Sequence, residues 1–148
     1  MAYSHTYRIR WADLDPNVHM RHSAYNDYAA QARLQFMSDH GFGMEWFKEH
    51  KVFPLLFREE TVFMREVMGN EEIRVEVLIQ KITHDGSRWT MVNRFIKPDG
   101  TVAAKLTVDG AWIHPETRKL IVPPEALMHL FDHLDKTEDF TFITREAK

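Results

Sequence analysis

Residues 22–40 read HSAYNDYAAQARLQFMSDH, and the fold turns on this stretch. Tyr25, Tyr28, Ala29, Ala32 and Phe36 recur at the spacing that lines up on one face of an α-helix. The pattern predicts a helix over about residues 22–40, with Ser23 as its N-cap residue and Gly41 as its stop. Ala24, Ala29, Ala30 and Ala32 make this helix thin, which suits one that something else wraps closely.

On either side of the helix the period falls to that of strands. Upstream, residues 5–11 alternate, with Tyr7, Ile9 and Trp11 on one side. Downstream, a short helix is expected over 44–49, then an edge-like strand over 54–67. Residues 71–82, 87–97 and 101–113 alternate clearly, and Asp85-Gly86 and Pro98-Asp99-Gly100 supply the turns between them. Pro123-Pro124 opens a last short helix that ends near Leu134, and residues 140–144 form a final strand or an ordered tail. Strands grouped after one helix indicate an α+β fold with an antiparallel sheet. Val92, Ile96, Ala103, Ala111 and Ile113 fall at the alternate positions, which suggests a second apolar sheet face that pairs with another copy of the chain.

With 148 residues, the chain is expected to form one domain over its whole length, burying roughly 70% of the surface that the unfolded chain exposes. The absence of cysteine excludes disulfides, thiolate catalysis and sulfur-ligated metal centres, and fits a reducing, cytoplasmic setting. Nineteen basic against twenty-two acidic residues leave no electrostatic footprint for nucleic acid. No apolar run reaches the roughly 18 residues of a membrane span, and residues 1–10 lack the apolar core of a secretory signal. Ten Phe, four Trp and four Tyr are the compositional oddity. Such side chains fill cores, interfaces and apolar pockets.

The polar cluster stands just before the helix: Asp13-Leu14-Asp15-Pro16-Asn17-Val18-His19-Met20-Arg21-His22. Four readings are open. Asp, Asn and Pro are ordinary turn residues. Asp13, Asp15, His19 and His22 are acceptable metal ligands by type, and His129 and His133 form a second loose pair, but the flanking glutamate of the helical zinc hydrolase motif is missing. An Asp-x-Asp pair can transfer phosphoryl groups, although that chemistry draws its other carboxylates from a parallel sheet. Finally, a carboxylate beside a helix N-terminus can hydrolyse an activated acyl group. The unpaired N–H groups of the first turn polarise the carbonyl, and the carboxylate serves as base or nucleophile. Asp15 is the better placed for this because Pro16 orients the backbone after it, while Asp13 suits a structural acceptor.

At these residues the chain resembles the hotdog-fold acyl-CoA thioesterases of the 4-hydroxybenzoyl-CoA thioesterase-like family. The loop and helix start carry Asp13, Asp15, His19, His22 and Tyr25, and Arg33 follows in the helix. Pro54, Arg58, Phe63, Arg65 and Gly69 repeat the family's next strand. The resemblance covers about residues 5–113. It implies an antiparallel sheet wrapped around a long central helix, and a homodimer or homotetramer with the active site at the protomer interface. It implies hydrolysis of an acyl-CoA thioester with Asp15 catalytic, His19 beside it, and the backbone N–H of His22 as oxyanion donor. Tyr25, Tyr28 and Met20 would line the acyl slot, and Arg58 and Arg65 would meet the CoA phosphates. No cofactor or metal is implied. Arg21-His22 replaces the family's usual Asn-Asn pair, a departure that favours a non-catalytic acyl-binding or scaffold protein as the rival reading. Asp27 is the nearest helical acid for relatives that use one, and for a hydratase or dehydratase on the same fold.

Overall fold

The computed structural model describes residues 2–144, so both ends of the expected 1–148 domain lie outside the described residues. The chain runs β1 (Tyr3–Arg8), α1 (Ala24–Asp39), α2 (Met44–His50), β2 (Phe53–Phe63), β3 (Glu72–Ile82), β4 (Arg88–Ile96), β5 (Val102–Ile113), α3 (Glu125–Leu130) and β6 (Lys136–Phe142). The six strands form one sheet in the order β1-β3-β4-β5-β2. All neighbours on this path are antiparallel; β6 lies parallel to β3, beside β1 on the same edge. Few helices accompany the sheet, an arrangement consistent with a hotdog fold. Among the described residues no helix is long and apolar enough to cross a membrane.

The alternation seen in the sequence sorts the two faces. Ile73, Val75, Val77 and Ile79 of β3, Trp89, Met91 and Phe95 of β4, and Ala104, Leu106, Val108 and Trp112 of β5 are buried in the core. Helix α1 lies against this face through Ala24, Ala29 and Ala32, all without exposed surface, together with Tyr25, Tyr28, Phe36 and Met37. Tyr25 meets Phe95 edge-on at 5.0 Å, and Tyr3 meets Phe36 at 5.1 Å. At the far end Phe47, Trp89, Trp112 and Phe131 close the core. The β3–β4 turn holds because Asp85 Oδ1 accepts bonds from the Ser87 N–H and from the Thr83 and Ser87 hydroxyls, with Gly86 at φ +73°.

Three expectations are corrected. The first strand ends at Arg8; Trp11 instead opens a 3-10 turn, Trp11–Asp13, and is 89% exposed. Arg10 folds back onto Asp13 there, which turns the chain out of the sheet. The strand expected over 54–67 stops at Phe63, because Met64 and Arg65 both donate to the Ala103 carbonyl (2.8 and 2.9 Å) and leave the ladder. Val92, Ile96, Ala103, Ala111 and Ile113 are already buried within one chain, so they offer no apolar face for a partner. A run of exposed apolar side chains lies along and beyond β2, at Phe57, Val62, Phe63 and Met64. Ser23 does hold the N-cap position of α1, but its side chain makes no capping bond, since Arg21 donates to its Oγ.

Gly110 is the tightest point of the core, where an added Cβ would sit inside the Trp89 indole. Gly110→Ala is expected to cost about 1–3 kcal/mol through overpacking, read as a lower urea midpoint with an unchanged slope.

Candidate active site

The two aspartates of the loop have different partners. The Asp13 side chain is fully buried. Arg10 grips both its oxygens, Nη2 to Oδ1 at 2.8 Å and Nε to Oδ2 at 3.0 Å, and the Tyr28 hydroxyl donates to Oδ2. Arg21 stands 3.6 Å away, and its backbone N–H donates to the Asp13 carbonyl. The hydrogen bond from Arg10 leads in holding the Asp13 carboxyl down to about 2, and Tyr28 adds to it against the opposing effect of burial. Tyr28 is pushed up by burial and by Asp13.

Asp15 is only half-buried and faces a cavity. Its Oδ1 accepts from the N–H groups of Asn17 (2.9 Å) and His19 (3.1 Å), while Oδ2 has no hydrogen-bond partner among the described residues. The backbone N–H of Asp15 donates to the His19 carbonyl at 2.8 Å, which ties the loop across its base. Val18, between them, holds a φ of +63°, a left-handed conformation that a β-branched residue rarely adopts. The loop is docked on the segment before β3: Met20 N–H donates to the Val67 carbonyl (2.7 Å), and Gly69 N–H to that of Val18 (3.0 Å). Gly69 packs closely at this contact, where an added Cβ would come 3.0 Å from Leu14 Cδ1 and 3.2 Å from Val18 Cγ1.

The cavity has a volume of about 380 Å³ and brings Asp15, His19, Met20, His22 and Tyr25 together with Phe63, Met64, Arg65 and Glu66 from the end of β2. His19 Nε2 lies 3.3 Å from a Glu66 carboxylate oxygen. Tyr25 packs edge-on against Phe63, and its hydroxyl is pushed up to about 12 by burial and by the charges of Asp15 and Glu71. The backbone N–H groups of His22 and Ser23, just before α1, donate to no carbonyl among the described residues. A second cleft of about 470 Å³ opens on the other side of Asp15, between Trp11, Leu14, Val18 and Asn70. A fixed carboxylate with one free oxygen thus stands between two cavities, beside uncommitted amide donors. Such a group can take a proton from water or attack an acyl carbon.

The remaining expected residues, Arg65 apart, lie elsewhere. Tyr28 is drawn away from the cleft to hold Asp13. Arg58 pairs with Glu60 at 2.7 Å and Asp109 at 3.6 Å, while Arg65 lines the cleft and donates to the Met64 carbonyl. Asp27 is exposed, with Arg21 at 3.9 Å. His129 pairs with Asp132 and Glu125, whereas His133 packs on His40. Among the described residues no group of three His, Asp or Glu side chains is arranged to hold a metal ion. Glu66 was not singled out in the sequence; its only signal was its place next to Arg65 in the strand pattern.

Because Asp13 is held below its ordinary 3.8, the stability it supplies is complete above about pH 4 and drains as the pH falls towards 2. Asp13→Asn is expected to flatten this acid limb in pH-dependent urea melts. Tyr28→Phe removes one neutral donor and is expected to cost about 1 kcal/mol.

Comparison with known proteins gives the family and the fold. Residues 9–131 match the model of the Thioesterase-like superfamily. No curated protein matches the chain. Among solved structures, a hypothetical protein from Staphylococcus aureus in complex with CoA superposes with a TM-score of 0.83 at 22% identity, over 99% of this chain and 90% of that one. A 1,4-dihydroxy-2-naphthoyl-CoA thioesterase from Synechocystis gives 0.79 at 11% identity, over 89% and 96%. A DHNA-CoA thioesterase from Staphylococcus aureus gives 0.73 at 18% identity, over 80% and 78%. At such identities the likeness is one of fold. The family match spans the loop, α1 and strands β2 to β5, and the chain belongs to the Thioesterase-like superfamily.

Proposed function

We propose that the protein hydrolyses an acyl-CoA thioester to the free acid and CoA. The observation that carries this reading is the Asp15 carboxylate, fixed through Oδ1 by two backbone amides and open at Oδ2. Asp15 takes the proton of a water that attacks the thioester carbonyl and returns it to the departing sulfur, or attacks that carbon itself to give an acyl anhydride that water then cleaves, the water's proton ending on the released thiolate. The oxyanion is met by the N–H groups of His22 and Ser23, the C–S bond breaks, and the sulfur leaves with a proton. His19 is positioned by Glu66 beside this centre. Tyr25, Met20 and Phe63 form the apolar wall for the acyl group, and Arg65 meets a CoA phosphate. Arg58 lies further along β2, and Tyr28 serves through Asp13. Similarity to a protein solved with CoA and to aryl-CoA thioesterases supports the thioester class.

In this reading α1 is the central helix of a single hotdog domain, and the sheet curls around it. Two copies pair through β2, an edge strand with open backbone groups and half-exposed Phe57, Val62 and Phe63. The cleft borders the end of that strand, so the partner completes the site. Of the Arg21-His22 pair, the departure that favoured a binding module, Arg21 is engaged with Ala12, Asp13 and Ser23 and is not among the cleft's lining residues, whereas His22 lines the cleft.

Asp15→Asn is expected to lower kcat by about 10²–10⁴-fold, with unchanged circular dichroism and sedimentation. Turnover near wild type would remove Asp15 from the role, and saturable binding of acyl-CoA without thiol release by the wild type would mark a binding module. Val62→Asp is expected to shift sedimentation to the monomer and to depress turnover with it.

A further inference from the structure

A third cavity, of about 230 Å³, lies between α1 and the β2–β5 end of the sheet. Arg33, Met37, Leu56, Trp89, Met91 and Trp112 line it. It shares no lining residue with the Asp15 cleft. On α1, Arg33 stands about 12 Å beyond Tyr25 along the axis, at 1.5 Å per residue.

The walls are apolar, and the exception is the charge. Arg33 is only 6% exposed, yet no carboxylate lies within 4 Å of its guanidinium among the described residues; the nearest acidic influence is the charge of exposed Glu59 on β2. Nη1 donates to Asn93 Oδ1 at 2.8 Å. Asn93 is itself fully buried and donates from Nδ2 to the Glu76 carbonyl at 3.1 Å, so its amide oxygen is committed to Arg33. The core therefore places an asparagine among apolar neighbours to hold a cation, and provides that cation with no counter-ion. Burial lowers Arg33 to about 10, which leaves it charged at neutral pH. A buried guanidinium with one neutral acceptor and no counter-ion among the described residues describes a site that an anion would complete, since an unpaired buried charge is costly. A planar carboxylate matches the guanidinium fork, and the methionine and tryptophan walls match an apolar body. The volume equals that of between seven and eight waters at about 30 Å³ each, which limits the body to a single ring or a short chain.

We propose that this cavity is a second ligand site, one that takes a small organic monocarboxylate with an apolar body and seats its carboxylate on Arg33. The inference stands apart from the hydrolase reading and is tested by binding, so the two can fail separately.

Benzoate and hexanoate are titrated into the full-length protein by calorimetry and tryptophan fluorescence, with benzamide as the neutral analogue of benzoate. Wild type is expected to bind at least one of the acids saturably, at one per chain, and benzamide at least about tenfold more weakly. Arg33→Met is expected to weaken the acid about tenfold or more. Ala30→Phe fills the cavity, leaves Arg33 in place and is expected to abolish binding, which keeps the test decisive if Arg33→Met does not fold. No saturable binding of either acid by the wild type, equal affinity for benzamide, or wild-type affinity in either folded variant would overturn the proposal.

Discussion

The buried Asp13 carboxylate is the fastening on which the rest of the molecule depends. Arg10 reaches it from the end of the first strand, Tyr28 from the second turn of α1, and Arg21 from the loop between. A charge taken out of water is tolerated only when it is paired and hydrogen-bonded, and here the pairing joins three segments at one point. The helix is thereby set against the sheet with its N-terminal turn beside the Asp15 loop. The Asp13 carbonyl also accepts the backbone N–H of Arg21, so the same residue ties down the segment that leads from the Asp15 loop into α1.

Much of the fold was legible because period is a direct consequence of geometry. Ile73, Val75, Val77 and Ile79 alternate because a strand has two faces, and Tyr25, Tyr28, Ala29, Ala32 and Phe36 recur because a helix has one buried stripe. The boundaries that went astray were decided by side-chain bonds that carry no period. Trp11 fitted the alternation of the first strand, but the Arg10–Asp13 grip turned the chain before it. The apolar positions at Val92 and Ala111 suggested an open face, yet both are already buried within one chain. Exposure depends on what stands alongside, and alternation alone does not report it.

The candidate site divides in the same way. Asp15, His19, His22 and Tyr25 were legible as a cluster because they are near in sequence, and they do line one cavity. Tyr28 was assigned to that cavity by helical adjacency, but a hydroxyl on a buried ring seeks an acceptor, and Asp13 was within reach. Glu66 reaches the site only through the packing of the β2–β3 connection on the loop, a long-range contact for which no spacing rule exists. Arg33 was visible as a helical residue, whereas its lack of a counter-ion became apparent only once the neighbouring strands were in place.

Val18 carries a consequence of its own. A β-branched residue held at a φ of +63° lies well above its relaxed state, by something on the order of 1–3 kcal/mol. Bonds between Asp15 and His19 brace the turn from within, and from outside the carbonyl of Val18 is held by Gly69 and the amide of Met20 by Val67. The shape around Asp15 is therefore jointly owned by two distant pieces of chain, and a peptide spanning the loop alone would relax out of it. Release of the 67–69 segment would loosen the carboxylate's amide cradle, the Val18 backbone and the mouth of the cleft together, so the chemistry of this loop has two settings, docked and lost, with little between them.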